Sequence, residues 1–220
     1  EPQKIRFKHA VIATGSLPSP LPGVTARSER VMDSTAALAL ADVPERLLVI
    51  GGGYIGLELG QVYAALGSQV TLVEMLDGLL PGVDRDLVQP LARRSEDLFE
   101  KIHLNTKVTG LRDTGSAIEA TLGSETRTFD RVLVAVGRKA QSAGLGLETT
   151  RVRSDPRGII AVDDRCRTDD PHIYAVGDVT GEPMLAHRAM RQGKVAAEVI
   201  VGRPAAFDNV VVPAVVFTDP

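Results

Sequence analysis

Residues 46–74, RLLVIGGGYIGLELGQVYAALGSQVTLVE, decide the fold. After Arg46 the run Leu47–Ile50 is short and wholly apolar, as in a strand covered on both faces. Glycines end it. YIGLELGQVYAALG (54–67) then takes helical spacing, with Gly67 placed to cap the C-terminus. QVTLVE (69–74) returns to strand. A strand, a helix and a strand in immediate succession make a parallel pair with a crossover helix.

The turn inside this unit carries chemistry. Gly51-x-Gly53-x-x-Gly56 follows a strand and opens a helix. Gly51 permits the tight turn, Gly53 lets backbone amides approach a pyrophosphate, and Gly56 lets helix and strand pack closely. The helix N-terminus offers unpaired N–H groups and partial positive charge to an anion. Glu74 ends the second strand 23 residues after Gly51, placed to accept hydrogen bonds from ribose hydroxyls. A 2′-phosphate would meet that carboxylate, and Met75, Leu76 and Asp77 bring no cation. NAD is therefore favoured over NADP. Glu58, on the same helix, is surrounded by apolar residues and needs a partner that nearby sequence does not offer.

Outward from this unit, strand and helix signals alternate. HAVIATGS (9–16) reads as a strand ending in a glycine turn, and LPSPLPG (17–23) as a proline-rich loop. DSTAALAL (33–40) suits a short helix capped by Asp33 or Ser34. DRDLVQPLARRSEDLF (84–99) is helical but interrupted by Pro90. KIHLNTKVTGL, AIEATLG and TRTFDRVLVAVG read as strands, two further short strands lie in 158–178, 186–200 is a helix, and VVVPAVVF (210–217) is a final strand. The expected fold is α/β, a parallel sheet with helices on its faces and an added β-meander. Three strands run into a small residue and glycine: VIATG (11–15), VLVAVGR (132–138) and IYAVGD (173–178). Ligands sit beyond the carboxyl ends of such strands, so three ends suggest two ligand sites.

Composition narrows the function. The 220 residues are 44% hydrophobic and 24% charged, with net charge −3 and pI about 5.8. This balance points away from nucleic acid and from an anionic membrane surface. No apolar run approaches the roughly 20 residues of a membrane span, and no signal peptide opens the chain. The single cysteine, Cys166, cannot form an internal disulfide and reads as a bystander. It suits a reducing, cytoplasmic compartment. The chain opens almost directly into a strand and closes on one, so it reads as a piece of a longer protein.

Four stretches together resemble the pyridine nucleotide–disulfide oxidoreductases, their dihydrolipoyl dehydrogenase branch most closely. They are HAVIATGS with the following LPG, GGGYIGLELG with VEMLDGLLPGVDRDL, VLVAVGRKA, and IYAVGDVTGEPMLAHRAMRQGKVAAEVI. The resemblance implies a Rossmann-like FAD/NAD(P)-binding fold: an NAD domain at 42–138, an FAD domain at 1–41 and 139–206, and the start of an interface domain at 207–220. It implies NAD contacts at Gly51, Gly52, Gly53, Tyr54, Ile55, Gly56, Glu58 and Glu74. Val108 would add a backbone contact near adenine, and Ala135, Val136, Gly137 and Arg138 would form a loop beside the nicotinamide. On the flavin side it implies Thr14 and Gly15 in a turn, and Asp178 holding the ribityl chain. Met184, Leu185, Ala186 and His187 would form a helix start facing the flavin ring. Tyr54 can gate the nicotinamide pocket or simply pack.

The resemblance also implies what the 220 residues do not hold. The first FAD fingerprint and the C-x4-C redox disulfide belong before residue 1. The His-x4-Glu acid–base pair belongs to the interface domain, and neither His172 nor His187 lies in that motif. No catalytic residue is therefore assigned within this chain, although Glu58 could support the flavin side, and no metal site is expected. The chain alone should be inactive. The whole protein would oxidise dihydrolipoamide with NAD+ through FAD, as a homodimer serving lipoyl domains of a 2-oxoacid dehydrogenase complex. Two other classes stay open: a noncatalytic NAD-binding, redox-sensing module, and an NADH-dependent flavin oxidase or other disulfide reductase.

Overall fold

The computed structural model describes residues 4–24 and 28–220. Its strands are β1 (Ala10–Ile12), β2 (Ser16–Pro18), β3 (Val31–Met32), β4 (Arg46–Ile50), β5 (Gln69–Val73) and β6 (Lys101–His103). They continue with β7 (Val108–Asp113), β8 (Ile118–Leu122), β9 (Glu125–Phe129), β10 (Arg131–Val134), β11 (Arg138–Ala140) and β12 (Ile173–Ala175). The helices are α1 (Ser34–Leu38), α2 (Tyr54–Ala65), α3 (Arg85–Leu98) and α4 (Ala186–Ile200).

The chain divides into two compact units. One comprises Pro18–Gly137 with Val215–Pro220. Its centre is a five-stranded parallel sheet in the order β3-β10-β4-β5-β6. The apolar run in β4 is explained by its two covers. Leu47 and Val49 pack with Leu57, Tyr63 and Leu91 from α2 and α3, whereas Leu48 and Ile50 pack with Ile118, Ala120 and Phe129 of the antiparallel meander β7-β8-β9. Helices thus cover one face and the meander the other, where the alternation of elements alone suggested helices on both.

Local chemistry sets the element ends. Asp33 caps α1 by accepting from Ala36 N at 2.8 Å, which decides between Asp33 and Ser34. Gly67, at φ +108°, follows the end of α2 in the left-handed conformation that suits glycine. Pro90 does not interrupt α3, which runs unbroken from Arg85 to Leu98. Pro90 and Asp86, whose carbonyl loses its helical donor to the proline, both lie on the exposed side, where that carbonyl is open to solvent.

The described residues of 18–41, assigned by the resemblance to the flavin side, lie in the sheet unit. β3 extends the sheet beside β10, and Tyr63 Oη donates to Ala37 O at 2.9 Å, fixing α1 against α2.

The second unit joins the residues up to Leu17 with Arg138–Ala214. β1 and β12 pair in parallel within it, and α4 packs Val195, Ala196 and Val199 on Tyr174, Val176 and Cys166. VVVPAVVF is not a strand: 210–217 has no ladder partner among the described residues. Val216 instead packs on the sheet unit's core, and Phe217 N donates to Glu58.

Cys166 is fully buried, and burial pushes its thiol up to about 11. The thiolate is the reactive form, so a thiol reagent at pH 8 should leave the native chain unlabelled and modify it promptly in denaturant. The unfolded thiol ionises near its ordinary 9.0 and the folded one near 11, so this group contributes stability that is lost as pH rises between those values. Labelling of the native chain at the unfolded rate would refute this assignment.

Candidate functional site

In the sheet unit, β4, β5, β6 and β10 end in register, with Ile50 beside both Val73 and Val134, and Val73 beside His103. The loops leaving those four ends meet at one edge. Gly51, at φ +112°, makes the turn from β4. A Cβ there would stand 2.3 Å from Ala135 O, so the Ala135–Gly137 loop presses on the turn. A Cβ on Gly56 would stand 1.9 Å from Gly51 O, which fixes how closely α2 approaches β4. Gly52 also lacks room for a side chain, with Leu79 Cδ2 at 2.8 Å from such a Cβ. Gly53 differs: a Cβ there would meet nothing within 4 Å. Gly53 is also the N-cap of α2 and supplies no side-chain cap. The first turn of α2 therefore presents its N–H groups to an open approach.

Glu74 is buried beside this turn. Gly52 N donates to its Oε2 at 2.7 Å and Leu76 N to its Oε1 at 2.9 Å. Both carboxylate oxygens are thus oriented by backbone, and each keeps a lone pair for a further donor. Asn105 N donates to Leu76 O and Thr106 N to Glu74 O, bringing the turn before Val108 to the same edge. The Val108 side chain is in the core, leaving its backbone for any ligand contact. Tyr54 and Ile55 pack partly on the core through their side chains. Arg85, not singled out in the sequence, donates to Leu79 O, Leu80 O and Val83 O and organises the loop that holds Leu79 over Gly52. Its basic residue at the start of a helix after an LLPG loop is the signal that marks it.

Glu58 finds its partner in the C-terminal segment, accepting from Phe217 N at 2.8 Å. One turn on, Gln61 accepts from Asp219 N at 2.9 Å.

The second unit has its own convergence at the ends of β1 and β12. Thr14 Oγ1 donates to Gln141 O at 2.6 Å, and Gln141 N to Gly15 O at 2.9 Å. Gly15, at φ +71°, has open space where a Cβ would stand. Ser16 Oγ donates to Asp178 Oδ2 at 2.6 Å. Arg138 belongs here as well, donating from Nε to Ser16 Oγ and from Nη2 to Ser16 O.

Asp178 lies in a short 3-10 helix, Gly177–Thr180, held from behind by α4. Gln192 Oε1 accepts from Gly177 N at 2.8 Å, and Arg188 Nη1 donates to Gly181 O at 2.7 Å. Both side chains are buried, and burial lowers the Arg188 pKa against the opposing pull of Asp178. Their spacing of four on α4 was readable, but polar residues on a helix read as solvent-facing. α4 starts at Ala186 with no side-chain cap on Leu185. Ala186 and His187 are exposed, and Met184 and Leu185 half-buried. His187 Nε2 donates to Pro213 O at 2.6 Å, which spends that ring nitrogen on structure.

Among the described residues no group of three or more His, Cys, Asp or Glu side chains could hold a metal ion. No described helix is long and apolar enough to cross a membrane.

A family described as "Pyridine nucleotide-disulphide oxidoreductase" matches residues 1–193. The chain belongs to this family. Among curated relatives it is 46% identical to a dihydrolipoyl dehydrogenase of Haloferax volcanii over 99% of the chain and 47% of the relative. It is 44% identical to the Haemophilus influenzae dihydrolipoyl dehydrogenase over 100% of the chain and 46% of the relative. The chain thus spans about half the length of the curated relatives it matches. Among solved structures, LpdA of Mycobacterium tuberculosis aligns at a TM-score of 0.87 and 30% identity over 96% of this chain and 46% of that one. The HOCl-induced flavoprotein disulfide reductase RclA of Escherichia coli aligns at 0.85 and 30% over 93% and 48%.

Proposed function

We propose that this member of the family supplies the NAD(H) site and part of the FAD site of a dihydrolipoyl dehydrogenase. The observation that carries the cofactor reading is the turn at Gly51–Gly56. Its glycines at 51 and 56 are required by neighbouring backbone, the one at 52 is crowded by the Leu79 side chain, and the one at 53 faces open space beside oriented N–H groups and a fixed carboxylate. Pyrophosphate fits the amides and a ribose hydroxyl fits Glu74. Val108, through its backbone, and the loop Ala135–Gly137 would complete the NAD side.

On the flavin side, Thr14 and Gly15 would line a turn, Asp178 would accept from the ribityl chain, and the uncapped start of α4 would face the ring. Partial positive charge there favours the electron-rich reduced ring. Bound FAD would supply the two-electron relay between a dithiol and NAD+. The residues of this chain would bind and orient the two cofactors.

The identities near 45% with dihydrolipoyl dehydrogenases support dihydrolipoamide as the reductant. A second identical subunit and the lipoyl domains of a 2-oxoacid dehydrogenase complex are the partners this reading entails, in the cytoplasm. The full-length protein should form NADH from NAD+ and dihydrolipoamide. A yellow, folded full-length protein that consumes NADH with oxygen or another disulfide, and shows no dihydrolipoamide activity, would transfer the assignment to an oxidase or another reductase.

A further inference from the structure

We propose that Arg138 is a positioning residue for Asp178, acting through Ser16, and not a contact of the nicotinamide nucleotide. The inference rests on the reading of Asp178 as a flavin-side carboxylate. Sequence position puts Arg138 directly after the Ala135–Gly137 loop, but its side chain goes elsewhere. Nε donates to Ser16 Oγ at 2.6 Å and Nη2 to Ser16 O at 2.7 Å, so the planar fork grips one residue twice. β11, which begins at Arg138, pairs with β2, which begins at Ser16, so the backbone holds the two side by side.

Proton direction gives the arrangement its consequence. A guanidinium only donates. Arg138 therefore occupies a lone pair of the Ser16 hydroxyl and leaves that hydroxyl's single proton for Asp178 Oδ2, at 2.6 Å. Without Arg138 the hydroxyl keeps its carboxylate acceptor but loses the charged donor that polarises it and fixes its orientation. Among the described residues Asp178 Oδ1 has no hydrogen-bond partner, so the relay ties one oxygen and leaves the other for a ligand hydroxyl. The positive charge is delivered through the serine and not by direct contact, which orients the carboxylate without covering it.

The test uses the full-length protein with FAD bound, and variants Arg138→Met, Arg138→Lys, Ser16→Ala and their Met/Ala double. FAD dissociation is followed by recovery of flavin fluorescence, NADH binding by calorimetry, and stability by Tm. Arg138→Met should weaken FAD retention about tenfold, the scale of one lost charge-assisted hydrogen bond, and leave NADH affinity within about twofold. Ser16→Ala should do the same, and the double variant should add little, because both break one relay. Arg138→Lys, whose ammonium donates from one nitrogen and lacks the planar fork, should recover only part of the loss. Weaker NADH binding with FAD retention intact would overturn the proposal, as would no change in either. A parallel loss of both cofactors that tracks Tm would make Arg138 a tie between strands and equally overturn it. Asp178→Ala separates the premise from the inference: unchanged FAD retention there would remove Asp178 from the flavin site, whatever Arg138 does.

Discussion

Alanine at Gly56 and alanine at Gly53 are expected to fail in opposite ways, although each adds one methyl group to the same turn. At Gly56 the new Cβ would lie 1.9 Å from Gly51 O and 3.3 Å from Val49 Cγ1. The nearest obstacle is backbone, which cannot rotate away. The N-terminal turn of α2 must lift from β4, and overpacking of this kind costs about 1–3 kcal/mol or more. Tm should fall by several degrees, and NADH binding should fall with it, because the amides move away from the Gly51 turn. At Gly53 the same methyl meets nothing within 4 Å, and φ of −82° suits alanine. Gly53→Ala should therefore keep the wild-type Tm while NADH affinity drops by about tenfold or more, because the methyl occupies the space kept for the ligand. Gly193→Ala, within α4 and with nothing near its Cβ, is the control and should match or exceed the wild-type Tm. Denaturation and NADH titration of the three variants decide the matter. A Gly53→Ala protein that binds NADH normally would show that the open face of the turn is not the dinucleotide site.

The contrast between these glycines also marks what was legible in the sequence. The spacing named Gly51, Gly53 and Gly56, because the turn and the helix–strand approach demand the first and third, and the close approach of a phosphate demands the second, wherever a strand turns into a helix over a pyrophosphate. Gly52 was not separable from them: its need comes from Leu79, which lies 27 positions away and is held there by Arg85. The same holds elsewhere. The wholly apolar β4 announced two covers, but not that one would be helical and the other a meander, since burial leaves the same mark in either case. The stretch 84–99 read as a helix interrupted by Pro90, whereas the effect of Pro90 depended on which side of the helix meets water.

Long-range polar pairing was the least legible. Arg138 sits in sequence beside the nicotinamide loop and reaches Ser16, 122 residues away. Glu58 announced that it needed a partner, and the partner is a backbone amide 159 residues on. Any residue but proline can supply an amide N–H, so composition carries almost no trace of it. For the same reason VVVPAVVF read as a strand: its β-branched residues fit a sheet, but pairing depends on a neighbour, and 215–217 lies along α2 by way of Glu58.

Glu74→Ala is expected to combine a large loss of stability with a change of cofactor preference. The carboxylate accepts from Gly52 N, which is buried, and from Leu76 N, which lies nearer the surface on an exposed residue, so the truncation strands one buried donor and leaves the other within reach of water. The buried donor left unsatisfied at Gly52 costs about 1–3 kcal/mol, and the Leu76 donor adds less because water can reach it. Glu74→Gln should recover only part of this, since its amide oxygen can accept from one N–H while its amide nitrogen faces the other donor. Cofactor preference should move independently of stability. The wild-type chain should bind NADH at least about 100-fold more tightly than NADPH, because the added 2′-phosphate meets a carboxylate that the backbone holds in place. Both variants remove the negative charge. NADH should weaken through loss of its ribose acceptor, NADPH should weaken less or gain, and the ratio should narrow towards unity in Glu74→Ala. Calorimetric titration of both cofactors into the three proteins, alongside their Tm values, separates the effects. Equal affinity of the wild-type chain for NADH and NADPH would remove Glu74 from the ribose site and leave it as a staple between Gly52 and Leu76. A ratio that stays wide in Glu74→Ala would assign discrimination to some other group.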